Sequence, residues 1–134
     1  MNGRLSHIEI YVSNLAKSIE FWSWFLTEKF NYEIYQKWEE GISYKLEETY
    51  IVFVQTEIEF LPTKFNRKNT GLNHLAFYCQ ERIFIDKLKE DLDQKRYKVL
   101  YNDKHPFAGG TNTYAIYFED PDRIKVEVVV KGKG

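Results

Sequence analysis

The sequence predicts an α+β fold of two tandem βαβββ modules, forming a rolled, barrel-like mixed sheet with the helices outside. Three observations carry that expectation. The hexapeptide His7-Ile8-Glu9-Ile10-Tyr11-Val12 recurs as His74-Leu75-Ala76-Phe77-Tyr78-Cys79. Each copy leads into a segment of helical periodicity and then into strand-like runs. Between the halves, Glu57 to Gly71 holds Pro62, Asn66, Asn69 and Gly71 and reads as a connector. At 134 residues the chain suits one domain, 1–134, with modules at about 1–57 and 72–131. A chain of this length buries roughly two thirds of its unfolded surface, enough for a core without disulfides.

The elements follow in order. Leu5 to Val12 alternates as a strand, with Ile8, Ile10 and Val12 on one face and His7, Glu9 and Tyr11 on the other. Ser13 and Asn14 offer a helix N-cap. From Leu15 to about Lys29, Leu15, Ile19, Trp22 and Leu26 recur at helical spacing, and Phe21 and Phe25 widen the stripe. Tyr32 to Trp38 reads as a strand, Glu40-Gly41 as a turn. Ile42 to Glu47 and Tyr50 to Thr56 read as a hairpin.

In the second half, Leu72 to Cys79 is a strand and Glu81 to about Arg96 an amphipathic helix carrying Ile83, Ile85, Leu88 and Leu92. Tyr97 to Tyr101 is a strand, and Asn102 to Asn112 a loop with Pro106 and Gly109-Gly110. Thr113 to Glu119 and Arg123 to Val130 are the last strands, joined at Asp120-Pro121-Asp122. Lys131 to Gly134 is a polar tail.

Composition narrows the function. The formal net charge of −1 gives no basic surplus for nucleic acid or an anionic membrane. Met1-Asn2-Gly3-Arg4 leads into no signal-type apolar run, and no segment is long enough to span a bilayer. Cys79 is the only cysteine, which excludes an internal disulfide and fits a reducing cytoplasm. It falls on the strand face opposite His74, as a buried thiol would. Aromatics make up 17% of residues, enough to line a core, a cavity or a subunit interface. Tyr11, Tyr50, Tyr78, Tyr114 and Tyr117 are candidates for a cavity lining.

The chemistry-bearing residues are His7, His74 and Glu127. The two histidines hold equivalent places in the repeat. Glu127 sits mid-strand among valines, where an ionised carboxylate costs free energy unless it is exposed, paired or bound to a cation. Two imidazoles and a carboxylate with open positions suit Fe(II), Mn(II), Ni(II) or Zn(II). Glu9 lies two residues from His7 on its face and is a candidate general base. His105, before Pro106, reads as a lid or surface residue. No phosphate-binding glycine loop, Ser-His-Asp pattern or zinc-finger spacing is present.

These residues carry a family resemblance. The run from His7 to Trp22, the segment Asn73-His74-Leu75-Ala76-Phe77, and Phe118-Glu119-Asp120-Pro121-Asp122-Arg123-Ile124-Lys125-Val126-Glu127 together resemble the vicinal oxygen chelate superfamily of glyoxalases, bleomycin-resistance proteins and dioxygenases. The last segment is similar to its closing F-x-D-P-D-G-x-x-x-E signature. The resemblance implies paired βαβββ modules, His7, His74 and Glu127 as metal ligands, a small-molecule substrate and a homodimer. It implies a divalent-metal-dependent glyoxalase-like lyase or isomerase, or a dioxygenase. The alternative is a metal-free drug-binding protein of the bleomycin-resistance type.

Two departures from the pattern stand out. Matching Tyr50 to Gln55 onto the strand that often supplies a fourth ligand puts Val52 there, which cannot bind a metal. Gln55 is the nearest donor, but it lies on the opposite strand face. Three remaining ligands resemble the set in extradiol dioxygenases and fosfomycin-resistance enzymes. The latter tend to carry a small hydroxyl residue where Glu9 stands. Arg123 replaces the signature's glycine, so the turn after Pro121 is expected to change its backbone conformation.

Overall fold

A computed structural model of the chain describes residues 2–132. Met1, at the start of the leader reading, and Lys133 and Gly134, at the end of the expected polar tail, lie outside the described residues. The chain divides into two compact units, Met1–Lys64 and Phe65–Gly134. In the first run β1 (His7–Val12), α1 (Leu15–Trp22), β2 (Glu33–Trp38), β3 (Gly41–Leu46) and β4 (Thr49–Gln55). In the second run β5 (His74–Cys79), α2 (Arg82–Lys95), β6 (Val99–Leu100), β7 (Ala115–Glu119) and β8 (Lys125–Val130). Both halves therefore have the βαβββ order.

Each unit forms one mixed four-stranded sheet, ordered β1-β4-β3-β2 and β5-β8-β7-β6. Hydrogen bonding closes neither into a barrel. The outer pairs β1–β4 and β5–β8 are parallel and the rest antiparallel. Register makes the repeat quantitative. His7 faces Tyr50 and Glu9 faces Val52. His74 faces Lys125 and Ala76 faces Glu127. Val52 and Glu127 are thus equivalent positions, as the sequence match placed them.

The cores differ. Asn14 caps α1 by accepting from Lys17 N at 3.2 Å. The helix runs on to Lys29, but from Ser23 in π-helical form. Phe21, Trp22, Trp24, Phe25 and Leu26 are all buried. Five bulky residues in six positions exceed the apolar face of an α-helix, and the wider i→i+5 turn brings them all inside. Trp22 stacks on Phe53 of β4, ring centroids 4.7 Å apart. Around α2 the core is aliphatic: Ile85, Leu88, Leu92, Val126 and Val128 are all within 1% of full burial. Ile83, expected on the apolar stripe, is 66% exposed. β6 keeps only two residues, where a five-residue strand was expected.

Candidate metal centre

His74 and Glu127 meet within the second unit. Glu127 stands at the centre of β8, across from Ala76, whose small side chain leaves space beside it. It reaches diagonally to His74, the first residue of β5, with Oε1 3.0 Å from Nε2. Its side chain is 11% exposed and that of His74 32%. The carboxylate that the sequence left exposed, paired or metal-bound is therefore buried and partnered.

The rest of the imidazole sets its chemistry. His74 Nδ1 lies 2.7 Å from Asn73 Oδ1. An amide oxygen only accepts, so Nδ1 carries hydrogen there and neutral His74 has its lone pair on Nε2. That lone pair then faces a carboxylate oxygen, acceptor against acceptor. A proton on Nε2 or a cation resolves the conflict. Ligands at the usual ~2.0–2.2 Å bond lengths stand about 3 Å apart when they subtend a right angle at one cation. The observed spacing and the mixed nitrogen and oxygen donors fit a divalent metal.

Tyr117 of β7 backs the pair. It faces Glu127 in register and hydrogen-bonds it. Burial, then the Glu127 charge and that hydrogen bond, push the phenol up to about 12. The hydroxyl thus stays protonated and donating across the physiological range. Gly109, in the β6–β7 loop, comes close enough that a Cβ there would meet this hydroxyl at 2.7 Å. Among the described residues, no group of three or more His, Cys, Asp or Glu side chains is brought together that could hold a metal ion.

The first unit offers a different surface. His7 is exposed, stacks on Tyr50 with centroids 4.5 Å apart and planes 8° from parallel, and hydrogen-bonds Ser6 Oγ through Nδ1 at 2.9 Å. In the tautomer with hydrogen on Nδ1, Nε2 is the nitrogen open to a metal. Glu9 is exposed on the same strand face. Val52, at the position equivalent to Glu127, is buried and offers no donor. Gln55 is occupied elsewhere: Oε1 accepts from Leu15 N at 2.9 Å and Nε2 donates to Ser13 O at 2.9 Å, tying β4 to the start of α1.

The other singled-out residues resolve as follows. Arg123 takes φ +67°, the left-handed conformation glycine favours, so the expected change of turn conformation does not occur. The turn is held instead by Asp120 Oδ1, which accepts from Asp122 N and Ile124 N, and by Arg67, which bonds Glu119 and the Arg123 carbonyl. Cys79 is buried, and burial pushes its thiol up. Tyr114 lies away from the His74–Glu127 pair, bonded to Asp86 of α2. His105 is half-buried near α2, and burial followed by Lys89 lowers its basicity. Sequence reasoning missed Ser6 and Asn73. Each directly precedes its histidine and orients the ring, and that shared position was the available signal.

No helix among the described residues is long and apolar enough to cross a membrane. The profile of the Glyoxalase/Bleomycin resistance protein/Dioxygenase superfamily matches residues 4–128. The chain is 51% identical over 125 residues to the protein YqjT of Bacillus subtilis, covering 93% of this chain and 97% of that one. A crystal structure of a candidate glyoxalase from Bacillus halodurans is 52% identical with a TM-score of 0.93, covering 96% of each chain. The fosfomycin resistance protein FosX of Listeria monocytogenes, complexed with Mn(II) and a dihydroxypropylphosphonic acid, is 20% identical with a TM-score of 0.66, covering 98% of this chain and 95% of that one.

Proposed function

The chain belongs to the glyoxalase/bleomycin resistance protein/dioxygenase superfamily, and from that membership we propose that it is a divalent-metal-dependent lyase, isomerase or dioxygenase. Its substrate is a small molecule presenting adjacent oxygens, and its ligands are His7, His74 and Glu127. The observation that carries this reading is His74 Nε2 standing 3.0 Å from Glu127 Oε1, with Nδ1 on Asn73 Oδ1. When bound, the cation (Zn, Ni, Mn or Fe(II)) supplies a Lewis acid that stabilises negative charge on the substrate oxygens. FosX shares the fold and holds Mn(II). At its low identity that likeness speaks for the fold alone, and the metal assignment stands on this chain's own donors.

The remaining roles follow from position. Asn73 fixes the His74 tautomer, as partners behind a metal ligand commonly do. Tyr117 holds Glu127 in place and keeps its own proton. Glu9, exposed on the His7 face, is the group available to hold or accept a substrate proton. A homodimer remains part of the proposal, and light scattering on the purified protein tests it.

Metal analysis tests the central claim. Protein loaded with cobalt, nickel or manganese and then desalted should retain metal, and His7→Ala, His74→Ala and Glu127→Gln should each lose it. Unchanged metal content in all three variants overturns the assignment. Anaerobic Fe(II) loading with catechol, against a methylglyoxal–thiol adduct, then separates dioxygenase from lyase. One observation favours a second reading, metal-free binding of a flat ligand: the exposed His7 ring lies stacked on Tyr50 at 4.5 Å, with Tyr35 tilted against Tyr50 at 5.1 Å. Binding of aromatic compounds that is indifferent to chelator would support it.

A further inference from the structure

Lys125 faces His74 directly across the parallel β5–β8 pair. Register partners and alternate residues share a sheet face, so Lys125, His74 and Glu127 present their side chains together. The Lys125 ammonium donates to the Tyr101 hydroxyl at 3.2 Å and lies 5.5 and 5.7 Å from the Tyr101 and Tyr117 ring centroids. Among the described residues no carboxylate pairs with it. Rings and a phenol orient an ammonium but bring no countercharge. Glu119, its register partner on β7, is already paired with Arg67, which leaves the Lys125 ammonium without a carboxylate of its own. The ammonium is also already aimed, so an incoming anion meets little ordering cost.

The first unit makes a similar assembly from different register positions. Lys45 lies 4.4 Å from the Tyr35 centroid, and Tyr35 leads through Tyr50 to His7. In the first unit, however, the lysine stands one strand further from the histidine, with Tyr50 between them.

We infer that the substrate carries an anionic oxygen group, a carboxylate or a phosphonate, which Lys125 takes while the adjacent oxygens lie at His74 and Glu127. This deepens the proposed function and rests on it. Lys125 then acts as a specificity residue, admitting anionic chelators over neutral ones.

The test uses the full chain loaded with Mn(II) and three probes sharing one chelating unit: catechol, its ring carboxylate protocatechuate, and the matching catechol phosphonate. Calorimetry at low salt should show the anionic probes binding about tenfold or more tightly than catechol, as a charge-assisted hydrogen bond allows. Salt should shrink that advantage. Lys125→Gln should abolish it, and Lys125→Arg should retain it. Whichever anion binds more tightly names the group. Equal binding of all three probes to the wild type, or an advantage that survives in Lys125→Gln, overturns the inference alone. Failure of every probe to bind the loaded protein removes the metal-chelate reading, and this inference with it.

Discussion

At the edge of the first sheet, His7 is exposed and lies flat on Tyr50, with Glu9 beside it and Val52 across from Glu9. At the same register of the second sheet, His74 is half-buried against Glu127, with Ala76 across from the carboxylate. Each cross-strand pair next to a histidine holds one carboxylate and one aliphatic residue, but the two have changed strands. Position on the sheet decides the consequence. A glutamate on the outer strand β1 stays in solvent. The same residue on the inner strand β8 is covered and must find partners. The second unit therefore carries a prebuilt donor pair, whereas the first offers an imidazole and a free-standing acid.

The cores extend the contrast and supply the largest expected effect. Phe53 and Val128 hold equivalent register positions, and each is fully buried. Phe53→Ala should cost about 3–5 kcal/mol, since it empties the slot against which Trp22 stacks. Val128→Ala removes fewer atoms from an aliphatic packing and should cost roughly 1.5–3 kcal/mol. Urea unfolding of the two variants measures the difference. Equal losses would show that the aromatic core of the first unit relaxes around the missing ring.

Metal affinity comes next. Glu127→Gln should weaken Co(II) binding by more than about a hundredfold, beyond the usual cost of losing a residue that merely orients a ligand. Glu9→Gln should change it by no more than severalfold. Titration of both variants against a competing chelator checks the ratio. Comparable losses would mean that Glu9 contributes to metal binding as well.

Much of this contrast was legible beforehand because strand periodicity is strict. Alternation at Ile8, Ile10 and Val12 put His7, Glu9 and Tyr11 on one face, and the family resemblance, matched over Tyr50 to Gln55, put Val52 at the fourth-ligand position. What escaped depends on contacts that no local pattern encodes. The partnership of Tyr117 with Glu127 exists only through the β7–β8 register. The π-helical stretch reflects how many rings the sheet must cover, not the spacing of any four residues. Arg123 kept the glycine-like turn because the Asp120 and Arg67 hydrogen bonds over-determine it, which a substitution read in isolation does not reveal. Gln55 looked like a spare donor until the start of α1 claimed both ends of its amide.

Removing each histidine from metal-free protein sharpens the comparison through stability. His74→Ala removes the ring that stands 3.0 Å from a covered carboxylate and should cost about 1–3 kcal/mol. His7→Ala removes a ring stacked at the surface and should stay within about 1 kcal/mol. Thermal or urea unfolding in chelator distinguishes them. If His7→Ala were the costlier change, the first unit would be the more tightly built half-site.

The smallest expected effect lies in the loop that only the second unit possesses. Where β2 and β3 join by a short turn at Glu39-Glu40, β6 and β7 are separated by residues 101–114, and this stretch holds His105. Burial, reinforced by Lys89, lowers its pKa below the ordinary 6.5, while Asp86 and Asp93 of α2 pull the other way. The unfolded chain then binds the proton more readily than the folded one, so folding stability rises with pH across the interval between the two values. The contribution of neutral His105 is present above the ordinary pKa and is lost as pH falls through the lowered one. His105→Gln should therefore lose less stability than wild type as the pH falls through and below the ordinary 6.5, with the two proteins changing in parallel well above it. Urea midpoints across the series read this directly. Parallel curves throughout would place the acid sensitivity outside this loop and leave the two units alike in their response to pH.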